Sequence, residues 1–503
     1  MTESVHLKAD PAFAVGQVDP RLYGGFVEHM GRCVYTGIYE PGHATADADG
    51  FRGDVAALVR DLGMPVMRYP GGNFVSQYDW VDGIGPCQQR PTRLDLAWKA
   101  TEPNQVGVEE YMTWCRLVGT EPVMAVNLGT RGPQEARDLV EYCNFAGGSA
   151  WSQRRAANGH IAPHGVKMWC LGNEMDGPWQ ACAKTATEYG RLARESAKLM
   201  RWVDGSIELV VCGSSNGGMA TFGSWEWEVL GHTYDQADYL AIHSYFGRGR
   251  TDDEFRDYLA SPEQMGRFID QSVALCDAVG ARHKSSRKLM VAYDEWNVVR
   301  PGKEGRRADD EWAVGRRLAE LEYDVADAVV FGGLLVTLLN HADRAKVGCL
   351  AQTVNVLGPI MTEPGGPAWR QTIYHPFALT SRLGRGTALR VAQQGPRLAT
   401  ASAGEVSCLL AAAVHDAETG SLSLFLVNRD PVRPLDVRAD VSATGASRLA
   451  EAWRVGEDDA CLSNTLEAPD AVVPRALADV EVGRGTVRAL LAPMSWSVVR
   501  VEG

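Results

Sequence analysis

No stretch of the 503-residue chain is apolar for long enough to cross a bilayer. The longest candidate, Val325 to Leu339, falls short of the roughly 20 residues a spanning helix needs and contains Asp327. Met1 to Lys8 lack a basic segment followed by an apolar one, so secretion through a signal peptide is not expected. Positive charge is also in short supply: 50 Lys and Arg stand against 63 Asp and Glu, giving a net charge of −13. Such a surface repels phosphates, which argues against nucleic acid or an anionic membrane as a partner and favours a neutral substrate. Acidity otherwise signals only solubility. The eleven cysteines are odd in number, scattered and never spaced C-x-x-C. Several lie in apolar runs (Cys170, Cys212, Cys349), as reduced, buried thiols in a cytoplasm do, and no zinc site is expected.

What remains is a globular composition, 45% hydrophobic and 22% charged, at a length that suits one large domain and one smaller one. From Leu22 onward eight apolar segments recur: Leu22–Glu28, Pro65–Tyr69, Pro122–Leu128, Val166–Glu174, Leu209–Ser214, Tyr239–Tyr245, Leu289–Glu295 and Ala328–Leu339. Helical spacing fills the gaps, over Phe51–Leu62, Glu109–Leu117, Pro133–Tyr142, Ala183–Trp202, Asp253–Val279 and Glu311–Tyr323. Eight strands alternating with helices predict a (β/α)8 TIM barrel, and the polar residues that end each strand, Asn340-His341 after the last among them, belong at its catalytic face. A doubly wound open sheet shares the alternation but has no reason to place polar groups after all eight strands.

Past Gly384 the helical pattern stops and short alternating segments follow, such as Cys408–Val414, Leu422–Val427 and Ser497–Val501, as in a β-sandwich. Residues 1–18 alternate like a strand yet lead into no helix, so they are expected to join that sandwich. The predicted organisation is therefore 1–18 with the sandwich, 19–384 as the catalytic barrel and 385–503 as a jelly-roll-like domain.

Two apolar strands end in acids, at Asn173-Glu174 and at Asp294-Glu295. Either glutamate alone reads equally well as a surface acid. Together, at the mouth of one barrel, they form the carboxylate pair that glycoside hydrolysis needs, one protonating the leaving oxygen while the other attacks or activates water. Asn173 supplies an amide for a sugar hydroxyl, and Trp169 and Trp296 offer apolar surface of the kind that lines sugar sites. Asn73 follows two glycines that permit unusual dihedrals and close approach of backbone to ligand. No Walker lysine or spaced dinucleotide glycines follow them, so a phosphate loop finds no support. Simpler alternatives stay open: Glu28 as a salt-bridge partner of Arg68, and His243 with Tyr245 as ordinary core packing on one side of a strand. A non-hydrolytic sugar-binding protein would keep the aromatics and amides without needing both acids. A metal-dependent lyase would need three strand-end ligands, which are not found.

The runs Arg68–Phe74 (RYPGGNF), Tyr78–Pro86 (YDWVDGIGP), Trp169–Trp179 (WCLGNEMDGPW), Asp294–Asn297 (DEWN) and Leu350–Gln352 closely resemble family 51 of the glycoside hydrolases, the intracellular α-L-arabinofuranosidases. The resemblance spans nearly the whole chain. It implies a retaining double displacement with Glu174 as acid/base and Glu295 as nucleophile. It implies that Glu28, Asn73, Asn173 and Gln352 hold furanose hydroxyls, that Tyr245 orients the nucleophile, that His243 lies near the acid/base, and that Trp98 and Trp179 surround the sugar. It implies no metal or organic cofactor, an exo-acting enzyme on arabinofuranosyl oligosaccharides of arabinan or arabinoxylan type, and a homohexamer. A β-D-galactofuranosidase or an endo-acting glucanase or xylanase would use the same pair. The sequence departs from the commoner pattern at Gly25, where many members carry His, at Ser244, where Gln is common, and in the polar, basic segment Val299–Asp310. All three departures bear on the leaving-group side of the pocket.

Overall fold

The computed structural model describes residues 2–300 and 311–503. Among them, eight parallel strands close into a barrel. In order around the ring they are Gly24–Phe26, Val66–Tyr69, Glu121–Ala125, Met168–Leu171, Glu208–Cys212, Tyr239–Gly247, Met290–Val299 and Ala345–Leu350, the last pairing with the first. Period two divides each strand between two cores. Met168 and Cys170 face the barrel interior with Val66, Val123, Val210 and Cys349, while Trp169 and Leu171 face the helical shell.

The strand Met290–Val299 breaks this alternation. Against its neighbour Tyr239–Gly247, Ala292 pairs with Ala241 and Glu295 with His243, so three steps on one strand oppose two on the other. The same extra residue appears against the strand on the other side, between Tyr293 and Trp296. This is a β-bulge, and it turns two consecutive acids, Asp294 and Glu295, into the barrel.

Seven strands coincide with expected apolar segments, but the eighth does not. Val325–Asn340, which contains the expected strand, is a helix, capped by Asp324 accepting from the Asp327 amide. Its run is too long for a strand, and the capping acids mark a helix start. It is apolar all round because it is enclosed: Phe331 stacks on Trp296 of the barrel at 5.1 Å, and Gly332 lets the Trp496 indole of the C-terminal sheet approach the helix backbone. The true eighth strand is Ala345–Leu350, and Asn340 and His341 lie at the far end of that helix, away from the catalytic face. The expected helix over Glu311–Tyr323 is absent, since Trp312, Gly315 and Ala319 all adopt positive φ. The expected helix Asp253–Val279 is two, Asp252–Leu259 and Ser261–Arg282, the second started by Pro262 near its N-terminus.

Among the described residues, ten further strands form one sheet, and the other six pair off in three two-stranded sheets. Glu3–Gln17 lies inside it, antiparallel to Thr387–Gln394 and parallel to Leu435–Asp440. Val5, Leu7 and Ala9 share one core with Leu424, Val437, Val487 and Val499, so the two halves of the sheet face each other across it.

Candidate active site

The strand Met168–Leu171 runs into Gly172, and Glu174 itself holds a left-handed backbone with φ +44. A non-glycine residue there is strained, and strain of this kind gathers at functional sites. One carboxylate oxygen of Glu174 lies 3.0 Å from His243 Nδ1, and the other accepts from Trp179 Nε1 at 2.6 Å. Glu295 accepts from Tyr245 Oη at 2.6 Å and from Arg68 Nη1 at 3.1 Å. His243 and Tyr245, two residues apart, reach the pair from one face of their strand, with His243 Nδ1 also 3.4 Å from Glu295. An oxygen of Glu174, an oxygen of Glu295 and a ring nitrogen of His243 all lie within 4.8 Å of one another.

A second cluster surrounds Glu28. Its carboxylate accepts from the Phe74 amide at 3.0 Å, from Trp98 Nε1 at 2.9 Å and from Gln352 Nε2 at 3.1 Å. Gln352 follows the last barrel strand, after a cis peptide from Ala351. The glycines before Asn73 serve this cluster: a Cβ on Gly72 would stand 2.4 Å from a Glu28 oxygen, and one on Gly71 would stand 3.0 Å from its Cγ. They make room for an acid of the chain itself, where the sequence suggested room for a ligand. Asn73 opens the short turn Asn73–Gln77, and its half-buried side chain makes no hydrogen bond among the described residues.

Several expectations are corrected. Glu28 is not the partner of Arg68. The Arg68 guanidinium instead bridges Glu295, the Asn173 side-chain oxygen at 2.6 Å and Asp294 at 3.3 Å. Trp169 and Trp296 are fully buried outside the barrel and present no surface to a sugar, whereas Trp179 is half exposed. Gly25 lies against Met64 and Thr353 in the barrel wall, so its departure from the family pattern concerns packing rather than the pocket. Ser244 does line the cleft described below. Of the Val299–Asp310 segment, residues 301–310 lie outside the described residues. The sequence reading passes over Arg68 as a partner of these acids, and Asp294 as a member of the cluster. Both are charges inside apolar strands, which is itself the signal.

The electrostatics divide the acids. Burial raises Glu174, and the charge of Glu295 adds to this against hydrogen bonds that oppose it. Burial also pushes Glu28 up to about 8, with Glu295 again contributing. Burial alone would lower His243, but Glu295, Asp294 and Glu174 outweigh it and hold the imidazole near 10. Asp294 is held below the usual carboxylate range: burial opposes ionisation, and Arg68 and His243 overcome it. The cluster Glu174–His243–Glu295 is compact enough for a metal ion. Its atoms are already engaged within the chain, Glu295 by the Arg68 guanidinium and the Tyr245 hydroxyl and Glu174 by Trp179 and His243.

A cleft of about 540 Å³ opens from Glu174, Trp179 and Tyr245 toward Asn216, Ser244 and the helix Ser261–Arg282. Its size is that of a small-molecule site.

Comparison with known proteins agrees with this geometry. Residues 58–259 match the model described as "Alpha-L-arabinofuranosidase 1 domain", and 294–495 match "Alpha-L-arabinofuranosidase C-terminal domain". An intracellular exo-α-(1→5)-L-arabinofuranosidase of Halalkalibacterium halodurans is 46% identical over 100% of this chain and 99% of its own length. An exo-α-(1→6)-L-arabinofuranosidase of Bifidobacterium longum is 48% identical, covering 99% of this chain and 98% of its own. The solved structure of a family 51 α-L-arabinofuranosidase from Bifidobacterium longum superposes with a TM-score of 0.96 at 42% identity, over the whole of both chains. Two domain models and full-length relatives thus converge on one assignment: the chain belongs to glycoside hydrolase family 51, the α-L-arabinofuranosidases.

Proposed function

We propose that the chain is a retaining, exo-acting α-L-arabinofuranosidase that releases terminal arabinofuranose from arabinan- or arabinoxylan-type oligosaccharides. The observation that carries this reading is the spacing of the two carboxylates, whose oxygens approach within 4.8 Å. That is close to the roughly 5–5.5 Å of double-displacement enzymes and short of the about 6.5–9.5 Å an inverting enzyme needs to admit water.

In this reading Glu295 attacks the anomeric carbon while Tyr245 and Arg68 hold its two oxygens in line. Glu174, kept protonated by burial and by the negative charge of Glu295, donates to the departing oxygen. Formation of the ester removes the Glu295 charge, so Glu174 becomes a stronger acid and, now ionised, takes the proton from the incoming water. Glu28, Asn73, Asn173 and Gln352 grip the ring hydroxyls, and Trp98 and Trp179 border the sugar. Relatives named as intracellular support a cytoplasmic placement. A homohexamer is proposed on the family resemblance, and light scattering on the purified protein would test it.

The discriminating experiment follows the first-formed anomer by NMR and measures kcat/KM on aryl α-L-arabinofuranoside, β-D-galactofuranoside and β-D-xylopyranoside. Retention with arabinofuranoside best of the three is expected. Inversion would overturn the mechanism, and another preferred sugar would overturn the substrate.

A further inference from the structure

The acid that protonates the leaving oxygen marks where the rest of the substrate must lie. Glu174 and Tyr245 border the 540 Å³ cleft, whereas Glu28, Asn73, Glu295 and Gln352 do not. The cleft therefore extends from the leaving-group side of the pair. One wall is the face of helix Ser261–Arg282 formed by Gln264, Arg267, Phe268 and Gln271, spaced i, i+3, i+4 and i+7. The opposite wall is Ser215–Gly218, where Gly217 lets the backbone approach the Phe268 ring; a Cβ there would stand 3.1 Å from it.

Arg267 is exposed and forms no ion pair or hydrogen bond among the described residues. The carboxylates nearest to it in sequence are engaged elsewhere: Glu263 holds Arg429, and Asp270 lies 3.5 Å from His341. Among the lining residues Glu174 is the one carboxylate, and it is held by His243 and Trp179. Asp176, beneath the opposite wall, is satisfied by the Ser215 amide and hydroxyl. An unpaired guanidinium thus projects into a cleft with no free counter-charge, in a protein whose net charge is −13.

We propose that this cleft seats the sugar from which arabinofuranose is cut, and that Arg267 recognises a carboxylate on it, so that the enzyme favours uronic-acid-bearing saccharides over their neutral counterparts. The proposal rests on the arabinofuranosidase reading given above. Guanidinium and carboxylate match as a two-pronged pair, and Gln264 and Gln271, one turn to either side, offer amides to neighbouring hydroxyls. Because the pair stays open to solvent, its effect is modest and weakens with salt.

The test uses a matched pair of disaccharides, α-L-arabinofuranosyl galacturonic acid and α-L-arabinofuranosyl galactose, which differ only at C6 of the acceptor. The ratio of kcat/KM, acid over neutral, is expected to fall about fivefold from wild type to Arg267→Gln, to fall less in Arg267→Lys, and to fall furthest in Arg267→Glu. Added salt should lower the wild-type ratio toward that of Arg267→Gln. A ratio unchanged in Arg267→Gln, or unchanged by salt, overturns the proposal. Loss of activity on an aryl arabinofuranoside in the wild type would instead overturn the underlying functional reading, and this proposal with it.

Discussion

Arg68 and Glu295 stand 227 positions apart in the chain and meet at 3.1 Å inside the barrel, with Asp294 closing on the same guanidinium at 3.3 Å. All three are nearly inaccessible to solvent. Removing the cation leaves two buried carboxylates to share His243, with Tyr245 donating to Glu295, and breaking a buried pair in this way costs about 3–5 kcal/mol in comparable cases. Arg68→Met should therefore lower the urea midpoint strongly and reduce kcat at least about 100-fold, since the proposed nucleophile also loses its alignment. Arg68→Lys, which keeps charge but not the fork, should recover stability more than activity. Wild-type kcat in Arg68→Met would show that the bridge is dispensable.

Glu174→Ala separates proton donation from attack. Turnover of substrates with poor leaving groups should collapse, while an activated aryl arabinofuranoside should still form the glycosyl-enzyme and stall there. Azide, which needs no base, should attack the Glu295-linked intermediate from the face the leaving group has vacated, restore turnover and yield a glycosyl azide of the same anomeric configuration as the substrate. Equal losses on both substrate classes, without azide rescue, would remove Glu174 from the acid/base role.

Glu28 links the pocket to stability. Its folded-state value near 8 lies above the ordinary 4.5, so the folded chain holds this proton more tightly than the unfolded chain does. The stability it contributes is complete below about pH 4.5 and is lost as pH rises through about 8. Glu28→Gln has no such titration, whatever constant cost it carries for its altered contact with Gln352. The Tm of the variant minus that of wild type should thus increase between about pH 5 and pH 9, while kcat/KM falls at least about tenfold. A pH-independent difference in Tm would mean that Glu28 ionises normally.

Deleting residues 2–17 removes an interior strand and its buried Val5, Leu7 and Ala9. Two strand edges and an apolar core face would open to solvent. The truncated chain should be insoluble or should melt well below the full chain in calorimetry. Soluble, fully active protein would show that the sheet closes without this strand.

The two acids proposed as catalytic stand out in the sequence because each ends an apolar run, a pattern that survives any small error in strand boundaries. Seven barrel strands were legible for the same reason. The eighth was hidden because Val325–Asn340 is enclosed on every side, and full burial erases the polar face by which a helix is known. Trp169 was misjudged for a related reason: closeness to Glu174 in sequence says nothing about which side of the barrel wall a residue faces, and its parity puts it outside. Arg68 was visible as an anomalous charge in a strand, but whether it serves Glu28 or Glu295 depends on strand order around the ring. The role of the double glycine before Asn73 depends on an acid 44 residues earlier (72 − 28) and cannot be read locally.

The bulge in Met290–Val299 has a consequence for how this chain tolerates change. A strand in strict alternation would offer one of Asp294 and Glu295 to the interior and the other to the helical shell. The single extra residue delivers both, so the proposed nucleophile and its neighbouring acid arrive on one short segment and share one phase. Losing a residue between Ala292 and Glu295 would not trim the strand slightly; it would send one of those charges into an apolar layer and strand Arg68 and His243 at once. Point substitutions can tune this site gradually, whereas a change of length by one at this place admits no intermediate.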